Sequence, residues 1–290
     1  MPRTSEAMLG AAAGPSMSNA VFRRLSEIVR SASGINLTPV KKVMLTVRLT
    51  RRIRALCMDS FEQYARFVES PAGRSEELTH MIDAVSTNKT EFFREAEHFG
   101  FLMRAALPEL EATVRQLKYR PARIWSAGCA SGEEAYTLAM VLSEYRDISP
   151  AFRFSVVASD ISTRVLEEAE RGIYDEGCVR PVPDVLRTKY LMKGKGRLRG
   201  YYRVVPELRR YVSFRRQNLA ERDLGISESH DVIFCRNVVI YMDRTVQETL
   251  FHNFYKSMTP GGYLFVGHSE TLEGISDMFV RVAPTIYRRP

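Results

Sequence analysis

The chain has 290 residues, 45% hydrophobic and 26% charged, with a formal net charge of +8. That length holds one large domain or two smaller ones, and the apolar share is that of a chain burying a core. No apolar run approaches the roughly 20 residues that cross a bilayer, so membrane insertion is not expected. The four cysteines, Cys57, Cys129, Cys178 and Cys235, show no close pairing, and the five histidines show no metal-ligand spacing. Free thiols in a reducing cytoplasm, and no metal, are therefore expected. The charge is uneven: nine basic residues face two acidic ones between Ala20 and Ser60, and nine face one between Lys193 and Arg216. Each run suits an anionic macromolecular partner, or is a solvated face.

Residues 1–18 are rich in Ala, Gly, Ser and Pro and read as a disordered tail. Residues 19–88 read as a helical domain of about four helices. Val21, Leu25, Ile28 and Val29 recur at helical spacing up to Gly34. Thr38-Pro39 opens a second helix, in which Val43, Val47, Leu49, Ile53 and Leu56 mix with arginines. Ser60 and Gln63 form a capping-box pattern for a third. Ser70-Pro-Ala-Gly73 reads as a break before a fourth, Glu76 to Val85.

Residues 89–121 are expected to be a linker and a connecting helix, the helix running from Phe99 to about Leu117. The stretch Ser86–Arg94 interleaves Asn88, Thr90 and Arg94 with Phe92 and Phe93. The aromatics can be simple core anchors; the polar residues point toward a ligand or toward a cap.

From Ala122 strands and helices alternate, which implies a parallel sheet covered on both faces. The organising stretch is Arg123–Thr137. A short apolar strand turns through Gly128 and Gly132 and opens a helix carrying Glu133 and Glu134. Strand, glycine turn and helix N-terminus make a nucleotide cradle, and glycine lets a ligand approach without meeting a Cβ. The two acids repel a pyrophosphate but not a cationic ligand such as S-adenosylmethionine. An ordinary strand-to-helix turn gives the same pattern. Phe152–Ser159 is a second strand, ending in Asp160, where a carboxylate can bind ribose hydroxyls or serve as a loop acid.

Tyr201–Val205 and Leu208–Phe214 read as a hairpin within a β-subdomain at about 193–216, exposing an edge or serving as decoration. Val212–Phe214 also fits as the next sheet strand, with Asn218-Leu219 at its end. Asp231–Cys235 is a buried strand running into Arg236-Asn237 and on to Tyr241; polar groups there are expensive to bury unless bonded. Tyr263–Val266 and a closing β pair near 279–288 complete the sheet.

Ser86–Arg94, Trp125–Glu134, Ala158–Ile161, Phe234–Tyr241 and Gly267–Thr271, taken together, resemble the chemotaxis receptor methyltransferases of the CheR family. The resemblance runs in order from about Ala20 to the C-terminus. It implies an S-adenosylmethionine-dependent protein-glutamate O-methyltransferase, with S-adenosylhomocysteine as product. The implied fold is α/β: a Rossmann-like class I methyltransferase sheet (residues 122–290), an N-terminal all-helical domain and an inserted small antiparallel β-subdomain. By resemblance, Asn88, Thr90 and Arg94 reach the cofactor, Gly128 and Glu134 lie in the glycine turn and its helix, and Asp160 holds the ribose. Asn218 and Leu219 border the adenine, Arg236 and Asn237 close the pocket, and Arg94 and Tyr241 lie near the reacting methyl. The expected partners are acidic, glutamate-bearing cytoplasmic helices of chemoreceptors. Lys41, Arg48, Arg51, Arg52 and Arg54 are the residues expected to steer them. A receptor C-terminal peptide on the β-subdomain stays open, and nucleic acid is not expected. A nucleic-acid or small-molecule methyltransferase and a non-catalytic adaptor are the other classes weighed.

Overall fold

The computed structural model describes residues 16–116, 120–226, 228–275 and 277–290. The expected tail lies almost wholly outside them. The described chain falls into two units, one within Met1–Ser31 and Leu37–Val85, the other comprising Ala32–Asn36 and Ser86–Pro290.

In the smaller unit, α1 (Asn19–Ser33) buries Val21, Phe22, Leu25 and Val29. A 3₁₀ turn at Pro39–Lys41 leads into α2 (Lys42–Ala55), whose buried residues Leu45, Leu49 and Ile53 fall one turn apart on a single stripe. Val43 and Val47, grouped with the apolar positions in the sequence, are exposed. At the start of α3 (Phe61–Glu69) the Ser60 hydroxyl accepts from the Gln63 N–H at 3.2 Å. Gln63 reaches back to the Asp59 N–H at 3.1 Å, one residue beyond the N-cap N–H of the usual capping box. The predicted break at Ser70–Gly73 is instead the start of α4 (Pro71–Glu76), followed by α5 (Leu78–Val85). Ser70 caps it, accepting from the Gly73 N–H at 3.1 Å, and Pro71 occupies a first-turn position where no N–H is needed. One buried acid locks the unit. Glu77, 1% exposed, accepts from Arg52 Nε at 2.8 Å, Arg52 Nη2 at 2.5 Å and the Tyr64 hydroxyl at 2.8 Å.

In the larger unit, α6 (Ala96–Phe101) starts earlier than predicted and passes through a π-helical turn, Leu102–Ala106, into α7 (Leu107–Gln116). Then come β1 (Ala122–Ala127), α8 (Glu133–Ile148), β2 (Phe154–Asp160) and α9 (Thr163–Arg171). Next are β3 (Ile173–Asp175), α10 (Glu176–Val179), α11 (Asp184–Tyr190), β4 (Leu191–Lys193), β5 (Tyr201–Val204), α12 (Pro206–Arg209) and β6 (Val212–Arg216). Finally come β7 (His230–Cys235), α13 (Arg244–Ser257), β8 (Met258–Val266), β9 (Val280–Ala283) and β10 (Ile286–Arg288).

Seven strands form one sheet in the order β6-β2-β1-β7-β8-β10-β9. The first five are parallel, and β10 runs antiparallel to both β8 and β9. Both faces are covered, which is why its strands read as continuous apolar runs. Ile124, Val232, Phe234 and Phe265 pack on one face with Phe99, Leu138 and Leu142. Trp125, Ile233 and Leu264 pack on the other with Leu250, Phe251 and Phe254.

The predicted hairpin is not formed. β5 pairs antiparallel with β3 and β4, giving a three-stranded sheet over 173–204 rather than 193–216. Leu208 lies in α12, and β6 joins the large sheet beside β2. Pro206 has no N–H to donate to a ladder, and its fixed φ suits a first helical turn.

Candidate active site

The site grows from the carboxyl ends of β1, β2, β7 and β8, where open parallel sheets bind ligands. Gly128 and Gly132 hold φ of +87° and +95°, which L side chains rarely adopt. A Cβ on Gly128 would stand 2.4 Å from Val238 Cγ2, so the loop after β7 rests directly on this turn. Between the glycines, Ala130 also has positive φ, +47°. Asp160 Oδ2 holds it there, accepting the Ala130 N–H at 2.9 Å, while Oδ1 accepts the Ser162 N–H at 3.0 Å. The expected ribose acid is thus also the fastener of the glycine turn. A carboxylate has about four lone-pair directions, so capacity remains. The Gln217 N–H donates to the Asp160 carbonyl at 3.0 Å, bringing Asn218 beside the end of β2. Asn218 is already engaged: Oδ1 accepts from the Ala220 N–H at 3.1 Å and Nδ2 donates to the Ala32 carbonyl at 3.0 Å. Leu219 is buried.

A charge chain runs beneath this turn. Arg236, its side chain 2% exposed, lies 3.5 Å from Glu134 and 3.2 Å from Glu95, and donates to the Arg94 carbonyl. Its guanidinium also sits over the Phe99 ring, 5.5 Å from the centroid. These contacts commit the Arg236 guanidinium to its neighbours. Burial pushes the Glu134 carboxyl up; Arg236 and the Ser126 hydroxyl, donating at 2.6 Å, work against that. Burial likewise raises Glu133, against a 2.8 Å bond from the Ser131 hydroxyl. At Glu95 burial also pushes upward, but Arg236, the His268 N–H and the nearby histidines outweigh it and hold the carboxyl below its ordinary value.

The segment 86–95 is anchored toward its C-terminal end. Phe92 is fully buried against Tyr174, ring centroids 5.0 Å apart, and the Phe93 N–H donates to Thr137 Oγ1 at 3.2 Å. Arg94 is half-buried and spends one donor on the Lys89 carbonyl at 3.1 Å; Thr90 is half-buried too. Asn88 Nδ2 is buried with no hydrogen-bond partner among the described residues.

Glu270, quoted in the motif but given no role, ties the loops after β7 and β8 together. It accepts from the N–H groups of Gly267 at 2.7 Å, Asn237 at 2.8 Å, Val239 at 2.9 Å and Ile240 at 3.4 Å. Those bonds hold Asn237 at a φ of +58° and set the loop that carries the half-buried Tyr241. Tyr241's carbonyl in turn accepts the Asn36 N–H at 2.7 Å. Four of the six non-glycine residues with positive φ among those described are Phe93, Glu95, Ala130 and Asn237, all in these segments. Backbone strain collects at functional sites. Glu95, Ser126 and Glu270 were the residues that sequence reasoning missed. A charged residue inside or beside a motif at a strand end was the available signal.

The basic residues of α2 belong to the smaller unit. Arg51 and Arg54 are exposed, Lys41 and Arg48 half-buried. Arg52 is committed to Glu77, and Arg48 donates to the Val85 carbonyl at 2.5 Å.

The strand order, with its antiparallel closing strand, and the glycine turn facing Asp160 define a class I S-adenosylmethionine-dependent methyltransferase. The chain belongs to the CheR methyltransferase family. The family's SAM binding domain matches residues 88–288, and its all-alpha domain matches 20–86. The chemotaxis protein methyltransferase of Borreliella burgdorferi is 38% identical over 267 residues, covering 92% of this chain and 93% of its own length. That of Salmonella typhimurium is 38% identical over 271 residues, covering 93% and 90%. Chemotaxis protein methyltransferase 2 of Pseudomonas aeruginosa is 37% identical over 267 residues, covering 92% and 91%.

The residues fit the cofactor. Asn88 Nδ2 is a buried donor awaiting an acceptor, and the turn around Gly128 brings backbone close without a side chain. Glu133, Glu134 and Asp160 make the surroundings favourable to a cation.

Proposed function

We propose that this chain is a cytoplasmic protein-glutamate O-methyltransferase acting on the cytoplasmic helices of chemoreceptors, in adaptation. The match of both domains to the CheR family carries the reading. When bound, S-adenosylmethionine supplies an electrophilic methyl group on a sulfonium. The acceptor glutamate is already ionised at neutral pH, about three units above its ordinary pKa, so no side chain has to take a proton from it. The protein's task is proximity and orientation. In this reading Asn88 and Thr90 bond the cofactor, Asp160 takes the ribose, and Asn218 and Leu219 border the adenine. Gly128 gives room, and Glu134 favours the cationic half. Arg236 and Asn237 keep the wall of the pocket in place through Glu95 and Glu270. Arg94 keeps donors to hold the acceptor carboxylate, and Tyr241 orients it. Charges cancel as the methyl moves, so a dry site favours transfer, whereas too tight a clamp on the carboxylate would slow it.

On α2 the exposed Arg51 and Arg54 stand near the exposed Val43 and Val47. A basic helix with an apolar stripe suits an amphipathic acidic helix. The three-stranded sheet, with Ile173, Met192 and Tyr201 exposed, offers the second contact, for a receptor tail peptide. Calorimetry with S-adenosylhomocysteine, followed by transfer of tritiated methyl to receptor membranes or to RNA, tests the reading. Label in the receptor supports it. Label in RNA alone sinks it.

A further inference from the structure

Next to the charge chain, Glu95 also meets two histidines that the methyl-transfer reading does not use. Glu95 Oε2, His98 Nδ1 and His268 Nε2 all lie within 4.8 Å of one another. Glu95 Oε2 is 3.6 Å from His98 Nδ1 and 3.9 Å from His268 Nε2. His98 is 1% exposed, in contact with Phe234 and Phe265 on the covered face of the sheet. Its Nε2 is 2.8 Å from Thr285 Oγ1, whose own proton goes to the Pro284 carbonyl at 2.7 Å. With that proton on the Pro284 carbonyl the hydroxyl accepts from Nε2, the tautomer that leaves Nδ1 as a lone pair. Nδ1 has no hydrogen-bond partner among the described residues. A buried nitrogen lone pair aimed at a carboxylate oxygen is repulsive unless something positive lies between them.

We propose that Glu95, His98 and His268 form a site for one borderline divalent cation of the Zn2+ type, with a coordination position open to solvent. Two neutral imidazoles and one carboxylate are a donor set that zinc accepts, and three protein ligands leave a fourth place free. Ligand atoms of a tetrahedral zinc stand about 3.3 Å apart, from metal–ligand lengths near 2.0 Å. The cluster must contract by up to about 1.5 Å, and His268, its side chain 51% exposed, is free to rotate inward. Thr285 supplies the outer bond that metal-binding histidines need to fix their tautomer. The charged neighbours pull both ways: Glu97 Oε2, 4.0 Å from His268 Nε2, favours the ion, and Arg236, 3.2 Å from Glu95 Oε2, opposes it. Bound metal would draw that oxygen from Arg236, which keeps Glu134 and the Arg94 carbonyl.

Calorimetric titration of the chelator-treated full chain with Zn2+ tests the site without reference to activity. One Zn2+ per chain is expected, with affinity falling at least about tenfold in His268→Ala and in Glu95→Gln. Cys178→Ser, at an exposed thiol, should leave it unchanged. His268→Ala alters a half-exposed ring, and circular dichroism checks its fold. No binding, equal affinity in the parent and His268→Ala, or loss with Cys178→Ser would each overturn the proposal.

Discussion

Asp160 accepts two backbone N–H bonds that hold the glycine turn, so its replacement acts twice. Asp160→Ala is expected to weaken S-adenosylhomocysteine binding by about 1–3 kcal/mol, the range for a lost bond to a charged group. Thermal stability should fall with it, because the Ala130 and Ser162 donors lose their acceptor. Undiminished affinity in calorimetry would rule out the ribose role and leave Asp160 as a turn fastener. Arg236 sets a different test. Removing it leaves Glu134 and Glu95 buried without their counter-charge, so Arg236→Met should cost about 3–5 kcal/mol of stability. Adding Glu134→Gln to it should restore part of the loss; urea unfolding of the single and double variants reads both values. Of these residues Asp160 and Arg236 were legible in the sequence as polar groups ending apolar strands. Their internal bonding was not, because partners such as Ser162 and Glu95 are fixed by how loops fold back.

The helix α2 shows what periodicity can and cannot tell. Its stripe Leu45, Leu49, Ile53 is regular, but Val43 and Val47 look equally apolar and are exposed. Arginines on the same helix divide in the same way. Arg52 turns to the buried Glu77, a partner far along the chain, whereas Arg51 and Arg54 stay exposed. Arg52→Glu would set two acids together in the interior and melt the helical unit, so it cannot report on steering. The informative pair is Arg51→Glu with Arg54→Glu. At low salt this pair should raise the apparent KM for receptor several-fold, at no more than about 1 kcal/mol per exposed charge. The difference should fade with added salt, and calorimetric affinity for S-adenosylhomocysteine should not change. A KM equal to that of the parent at low salt would make the patch a solvated face. The three-stranded sheet was misread as a hairpin for a related reason: β5 pairs with β3 and β4, both of which precede it in the sequence, and only Pro206 warned against a partner that follows it.

Across the whole molecule the sheet was the most legible part, since strands covered on both faces must be apolar throughout. Its order was not, because pairing between β6 and β2 or β10 and β8 leaves no local mark. Two histidines give the molecule a predictable response to acid. Burial pushes both His98 and His230 down to about 4, from an unfolded value near 6.5. The unfolded chain thus binds more protons between those values, so stability is intact above about pH 6.5 and falls as pH drops toward 4. Each contributes a slope of about 1.4 kcal/mol per pH unit in that window. Urea unfolding in chelator at pH 7 and pH 5 should show the parent losing more stability than His230→Gln; equal losses would place the acid sensitivity elsewhere. The central claim is the identity of the acceptor atom. Receptor membranes incubated with the chain and S-adenosylmethionine, then digested and mapped by mass spectrometry, report it most directly. The expected result is one methyl mass on glutamates of the cytoplasmic helices, removed by mild alkali as an ester must be. Alkali-stable methyl groups on other residues, or unmodified receptor from a chain that binds S-adenosylhomocysteine, would contradict the account.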